Sequence, residues 1–212
     1  MERLVKVTGI GRIAVKPNTI ILNLPLSQVD QVYRNSIQML NREVSMLKDI
    51  ISKNGLAKDE VKTLDYRIER KTTWNDKTKE CDFVGYSASH DMEVEFPFDL
   101  DRLNSIATDL SNQLAGVNLT VSFGVKESEK HNRDLIEKAV SDAQKNARYL
   151  AHASGIDLGL IQSVVYAFEE VIFRSESYST SDYSGELLDN MIDVNPADIK
   201  AEKNVTITWE ID

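Results

Sequence analysis

The sequence predicts an α+β protein: antiparallel sheets covered by three helices, in the element order ββαββαβαββ. Three observations carry this. Seven stretches favour strand, most of them alternating apolar and polar residues with a period of two. That period gives one buried and one wet face and favours antiparallel sheet. Three other stretches place apolar residues at three- and four-residue steps, the spacing of one helix face. No strand–helix–strand rhythm runs through the chain, so a doubly wound parallel sheet is not expected.

The elements follow in order. Residues 4 to 16 hold short β-favouring pieces interrupted by Gly9 and Gly11, which reads as a bulge or bend. Residues 19 to 27 put Ile20, Leu22, Leu24 and Leu26 on one face, and Pro25 assigns the end of that segment to an edge or a bulge. The first helix carries Tyr33, Ile37, Leu40, Val44, Leu47 and Ile51 on one stripe and stops at Asn54-Gly55. Residues 61 to 74 alternate Leu64, Tyr66 and Ile68 against Asp65, Arg67 and Glu69. Residues 83 to 96 alternate Val84, Tyr86, Ala88, His90, Met92, Val94 and Phe96 against Ser87, Ser89, Asp91, Glu93 and Glu95. Asp99 is placed to cap a second helix through Leu103, Ile106, Leu110 and Leu114, closed by Gly116. Val117, Leu119, Val121, Phe123 and Val125 make a fifth strand across residues 117 to 125.

The third helix, from Ser128 to Ser154, has alanine at every fourth position: Ala139, Ala143, Ala147 and Ala151. A row of methyl groups forms a shallow ridge that lets a partner approach closely. Gly155 follows where a C-terminal glycine belongs. Val164, Tyr166 and Phe168 mark a sixth strand; Val205, Ile207, Trp209 and Ile211 mark the last. Between them, residues 175 to 186 (SESYSTSDYSGE) are rich in Ser and poor in apolar residues, and read as a mobile acidic excursion.

At 212 residues the chain can bury a substantial core as one large domain or two small ones. No apolar run approaches the roughly 20 residues that span a bilayer, so no membrane span is expected. The opening MERLVKVTGI lacks the apolar stretch of a secretory signal. The expected location is cytoplasmic, or the periplasm or cell envelope if a leader has been trimmed. Cys81 is the only cysteine, which excludes an internal disulfide and leaves the compartment open. The net charge of −9 is unevenly placed. Residues 169 to 212 hold 11 Asp/Glu against 3 Lys/Arg, whereas the first 168 residues are nearly balanced at 23 against 22. That argues against nucleic-acid binding, which needs a basic footprint. The acidic quarter reads as a solvated, partly mobile loop, with a docking strip for a basic partner as the sharper alternative.

Several constellations invite a catalytic or binding reading. Gly9-Ile10-Gly11-Arg12-Ile13-Ala14 matches G-x-G-x-x-A, but a dinucleotide site needs those glycines to open a helix, and here Val15, Lys16, Pro17 and another β-run follow. Gly85-Tyr86-Ser87-Ala88-Ser89 lacks the second glycine of a nucleophile elbow and continues as strand, placing Ser87 and Ser89 on a wet sheet face. His131 and His152 lie far apart on one helix, and Cys81 with His90 still lacks two metal ligands. His90 reads as a hydrogen-bonded core histidine. Asp91, Glu93 and Glu95 share a strand face. They read as a solvated surface, or as a rim salted by Arg67 and Lys71 of the preceding strand, ahead of an acid–base pair or a Ca²⁺ site. No catalytic, cofactor-binding or metal-binding residue is therefore assigned.

Taken together, the landmarks resemble one family, the SIMPL-domain proteins. The alanine run ending at Leu158-Gly159 is similar to that family's C-terminal helix signature. Val7-Thr8-Gly9-Ile10-Gly11 followed by Pro17 resembles its opening strand, with Asn18 where Asp is usual. Val61-Lys62-Thr63 after Gly55 is similar to the start of its third strand, and Gly85-Tyr86-Ser87-Ala88-Ser89 to its fourth-strand motif. Gly116 before the fifth strand and the run Val205 to Ile211 fit as well, so the likeness covers nearly the whole chain as a single domain, residues 1 to 212. The resemblance implies a mixed α/β fold, self-association, no established catalytic residues, and, for many bacterial members, an envelope location. A mammalian member is an adaptor to a kinase. The expected function is a non-enzymatic, self-associating binding or scaffold protein, homo-oligomeric and without cofactor. The alternative is an enzyme with an unrecognised site in a sheet–helix cleft.

Overall fold

The computed structural model describes residues 3–114, 117–167, 171–179 and 194–212. The element order is the expected one with two additions, a single 3-10 turn at Lys58–Glu60 and a strand of two residues late in the chain. The chain divides into two compact units, Met1–Pro17 with Gly124–Ser175 and Pro196–Asp212, and Asn18–Phe123 with Glu176–Asn195.

The first unit is a three-stranded antiparallel sheet with one long helix on a face. Strands β1 (Leu4–Val15), β6 (Leu158–Tyr166) and β8 (Ile199–Ile211) lie in the order β1-β8-β6. β1 pairs with β8 from Leu4↔Glu210 to Val15↔Ile199 without a register shift. The bulge or bend expected at Gly9 and Gly11 is therefore absent, and the glycines have a different cause. Helix α3 (Ser128–Ser154) crosses β1 so closely that a Cβ on Gly9 would overlap the Ala139 carbonyl oxygen and the Ala143 amide nitrogen. A Cβ on Gly11 would overlap the Leu135 carbonyl oxygen. The alanine ridge and the two glycines are thus two halves of one contact: both surfaces have lost side-chain bulk where backbone meets backbone. Ala139, Ala143 and Ala147 are fully buried there with Val7, Val205, Ile207 and Trp209. Further along, Leu135 packs with Phe173 and Ile199. α3 ends as expected, with Gly155 left-handed (φ 67°) and its amide returned to the last turn.

The second unit is a five-stranded sheet in the order β3-β4-β2-β5-β7. It is built from β2 (Thr19–Asp30), β3 (Lys62–Asn75), β4 (Glu80–Pro97), β5 (Thr120–Gly124) and β7 (Tyr178–Ser179). Helices α1 (Tyr33–Lys53) and α2 (Leu100–Gln113) belong to the same unit. Leu40, Leu47, Ile50 and Ile51 of α1 and Leu103, Ile106 and Leu110 of α2 join Ile20, Leu22, Leu24, Met92, Val94 and Phe96 in one core. The expected stripe of α1 holds except at its first member, Tyr33, which is half exposed and stacks edge-on with Tyr86 at 5.4 Å. Asp99 caps α2 as expected, accepting the Arg102 amide at 3.0 Å.

Three expectations need correction. β2, expected over residues 19 to 27 with its end at an edge or a bulge, has no bulge against β4 at Pro25. It runs on to Asp30 in unbroken register with β4, Pro25 opposite Asp91. The alternation of β3 breaks at Leu64, which falls at a register shift between Thr63 and Asp65 and is exposed. The sixth strand begins at Leu158, earlier than Val164, because it alternates on neither face: almost all of it is exposed. Phe168 and Gly116 lie outside the described residues, as does residue 180 onward of the 175–186 excursion; within its first part, Tyr178–Ser179 form β7.

Candidate interaction surface

The residues singled out for chemistry are dispersed. Gly9 and Gly11 sit mid-strand beneath a helix, and β1 continues where a dinucleotide site would need a helix to begin. Ser87 and Ser89 lie along β4, the first with its hydroxyl 3.4 Å from that of Ser27, the second donating to the Arg67 carbonyl at 3.5 Å. Cys81 and His90 are nine residues apart on the same strand, about 30 Å at the strand rise. His131 and His152 are separated by a similar length of α3, about 31 Å. Among the described residues no three His, Cys, Asp or Glu side chains gather as a metal site.

His90 is hydrogen-bonded, as expected, but half-buried and not central. Its Nε2 lies 2.7 Å from the Thr63 hydroxyl and its ring meets Tyr66 edge-on at 5.2 Å. Burial first, and the charge of Lys48 second, hold its pKa below the ordinary histidine value. Arg67 pairs with Asp65 of its own strand, whose carboxylate accepts from its Nε at 2.7 Å, and of the expected rim of Asp91, Glu93 and Glu95 only Asp91 adds a weaker attraction to it. A shallow polar depression between α1 and α2 is lined by Lys53, Asn54, Asp101, Ser105, Thr108 and Asp109. Its centre is internally satisfied: Lys53 and Asn54 both donate to Asp109, at 2.9 and 3.0 Å. Those bonds, led by Lys53, hold the Asp109 carboxyl below the usual carboxylate range.

The surface that stands apart is β6. Its nine residues, LGLIQSVVY, include no charge. Ile161, Val164 and Tyr166 stand opposite Trp209, Ile207 and Val205 of β8 and so share their face of the sheet. The β8 side chains are buried under α3, but the helix lies over β1 and β8 and leaves the β6 row uncovered. Leu160 is 74% exposed, Val165 61%, Val164 52% and Ile161 50%. Beside them, Gln144 and Arg148 of α3 and Trp209 wall an open groove of about 590 Å³, floored by Leu158 to Ile161. Exposed Tyr149 and Leu150 lie on α3 nearby in sequence. Ile161 and Val164 lie on the helix-bearing face and Val165, opposite Thr206, on the other, so β6 exposes apolar side chains on both faces, and exposed apolar surface gathered on one strand marks a candidate interaction site.

Sequence reasoning missed Leu160, Ile161 and Val165. An apolar β-run reads the same whether it is buried or not, and the signal that separates them was the lack of alternation in 158–163. No helix among the described residues is long and apolar enough to cross a membrane. No curated protein matches the chain. The SIMPL family profile, a protein of unknown function (DUF541), matches residues 5–209. That match runs from β1 into β8, takes in both units and includes both sides of the glycine–alanine contact: the chain belongs to the SIMPL family.

Proposed function

We propose that the chain is a non-enzymatic binding or scaffold protein that associates with itself. The observation that carries this is the uncharged, exposed apolar strip of β6 with its adjoining groove. Covering that strip removes apolar side chains from water at about 25 cal/mol per Å². The polar depression between α1 and α2, by contrast, spends its charged groups on each other and ties two helices together. Light scattering of the purified chain over a range of concentrations tests the reading. A mass that is a multiple of 23.9 kDa is expected. Each copy carries a net charge of −9, so association strengthens from low to moderate salt as repulsion is screened. A single-copy mass at every concentration and salt overturns the reading and shifts support to the enzyme alternative.

A further inference from the structure

We infer that the groove between α3 and β6 binds a free fatty acid, its carboxylate held by Arg148 and Gln144 and its chain laid along β6. The inference goes beyond the self-association proposed above and stands without it.

The helix supplies the head-group site. Gln144 and Arg148 are four residues apart on α3, so they share one face, one turn apart and about 6 Å along the axis. Both line the groove. Neither makes a hydrogen bond or ion pair with the protein among the described residues. Arg148 is the one charged residue among those lining the groove, in a chain whose net charge is −9. A guanidinium presents a planar fork of donors that matches a carboxylate, and an amide on the adjacent turn adds a further N–H. The polar depression between α1 and α2 offers no such site, because its Lys53 is already held by Asp109.

The sheet supplies the site for the tail. Leu158, Leu160 and Ile161 floor the groove, and Trp209 walls it. Ile161 stands opposite Trp209 and shares its face. The floor from Leu158 to Ile161 is extended backbone about 10 Å long, a straight track for an unbranched chain. At about 590 Å³ the groove falls within the range of small-molecule sites, about 300–1,000 Å³.

The two halves together select the ligand. An apolar floor beside one unneutralised cation fits a molecule with one anionic end and an apolar remainder. A cationic amphiphile meets Arg148 as a like charge, and a polyanion finds a single cation and an apolar floor.

The test titrates the full chain with decanoate and with decylammonium, two ligands of equal chain length and opposite charge. Trp209 is one of two tryptophans, and the other, Trp74 on β3, is exposed. Trp74→Phe therefore leaves Trp209 as the reporter. Its emission should change saturably with one decanoate per chain, below the concentration at which decanoate forms micelles. Decylammonium should bind at least about 10-fold more weakly. Arg148→Gln should weaken decanoate about 10-fold or more, the loss of a charge-assisted hydrogen bond. Lys145→Gln removes the same charge from an exposed α3 position that does not line the groove, and should change nothing. Absence of a saturable Trp209 response to decanoate overturns the inference. So does decylammonium binding as tightly as decanoate, a comparison that holds even if Arg148→Gln fails to fold. Decanoate affinity unchanged in a folded Arg148→Gln overturns it as well. Light scattering of the same samples reads association separately. A single-copy mass with decanoate bound ends the self-association reading alone, and associated copies without a decanoate response end this one alone.

Discussion

Gly9→Ala tests the helix–sheet contact with a single methyl group. The new Cβ would overlap the Ala139 carbonyl oxygen and the Ala143 amide nitrogen and lie 2.7 Å from the Ala143 Cα. Carbon atoms pack best at about 3.5–4.0 Å, so α3 must lift by roughly 1 Å. All three obstructing atoms are backbone, and no rotamer change clears them. A gap of that size forfeits about a quarter to a half of each dispersion contact across it. It opens at once beneath Ala139, Ala143 and Ala147, all fully buried. Overpacking costs about 1–3 kcal/mol, and a rigid obstacle puts this case near 3. The alanine returns about 0.4–1 kcal/mol by restricting the unfolded chain. The net loss of about 2 kcal/mol corresponds to a melting temperature lower by about 4–8 °C in a chain of this size. Urea and thermal unfolding followed by circular dichroism measure it. Thr8→Ala is the control, since Thr8 faces the other side of β1, its hydroxyl 2.8 Å from that of Thr206. A Gly9→Ala midpoint equal to or above that of the wild type would refute the reasoning.

Three further outcomes are expected. Ala143→Leu overfills the same contact from the helix side and lowers the unfolding free energy by about 1–3 kcal/mol in urea titration. His90 titrates below its unfolded value because the fold disfavours its charged form, so its contribution is fully present above the unfolded pKa and is lost as pH falls through about 6.5 toward the folded value. The unfolding midpoint should therefore drop between pH 7.5 and 5.5, and His90→Gln should flatten that part of the profile. Asp142→Ala/Lys138→Ala uncovers the outward Ile10 amide and Arg12 carbonyl and opens the β1 edge there. Light scattering should then show species larger than those of the wild type.

The sequence carried most of the fold because its strongest signals are periodic. The stripes of α1 and α2, the capping aspartate and the alanine ridge all depend on neighbours three or four residues away, and such neighbours are visible along the chain. Gly9 and Gly11 were legible as unusual but not as to cause. A glycine in a strand is required equally by a bulge and by a close helix, and only the partner, here some 130 residues distant, separates the two. Pro25 misled for the opposite reason: its missing donor is a local fact, while whether the ladder needs that donor depends on neighbouring strands. The candidate surface was least legible. Ile161 and Val164 have the composition of a core strand, and what exposes them is how far α3 extends across the sheet, which no local pattern encodes.

The pairing of β1 with β8 sets a schedule for synthesis. Leu4 finds its partner at Glu210, and β8 is the middle strand of its sheet. Residues 18 to 123, most of the second unit, emerge from the ribosome as one continuous stretch and can collapse on their own core meanwhile. β1 leaves the exit tunnel before the other two strands of its sheet and waits longest of the three. Until β8 is made, at about 5–20 residues per second, its glycine-thinned face and the alanine ridge of α3 lack the strand that binds them into a sheet. A nascent chain halted before Ile199 has both outer strands and no centre, and its β1 is then an unpaired apolar segment available to chaperones.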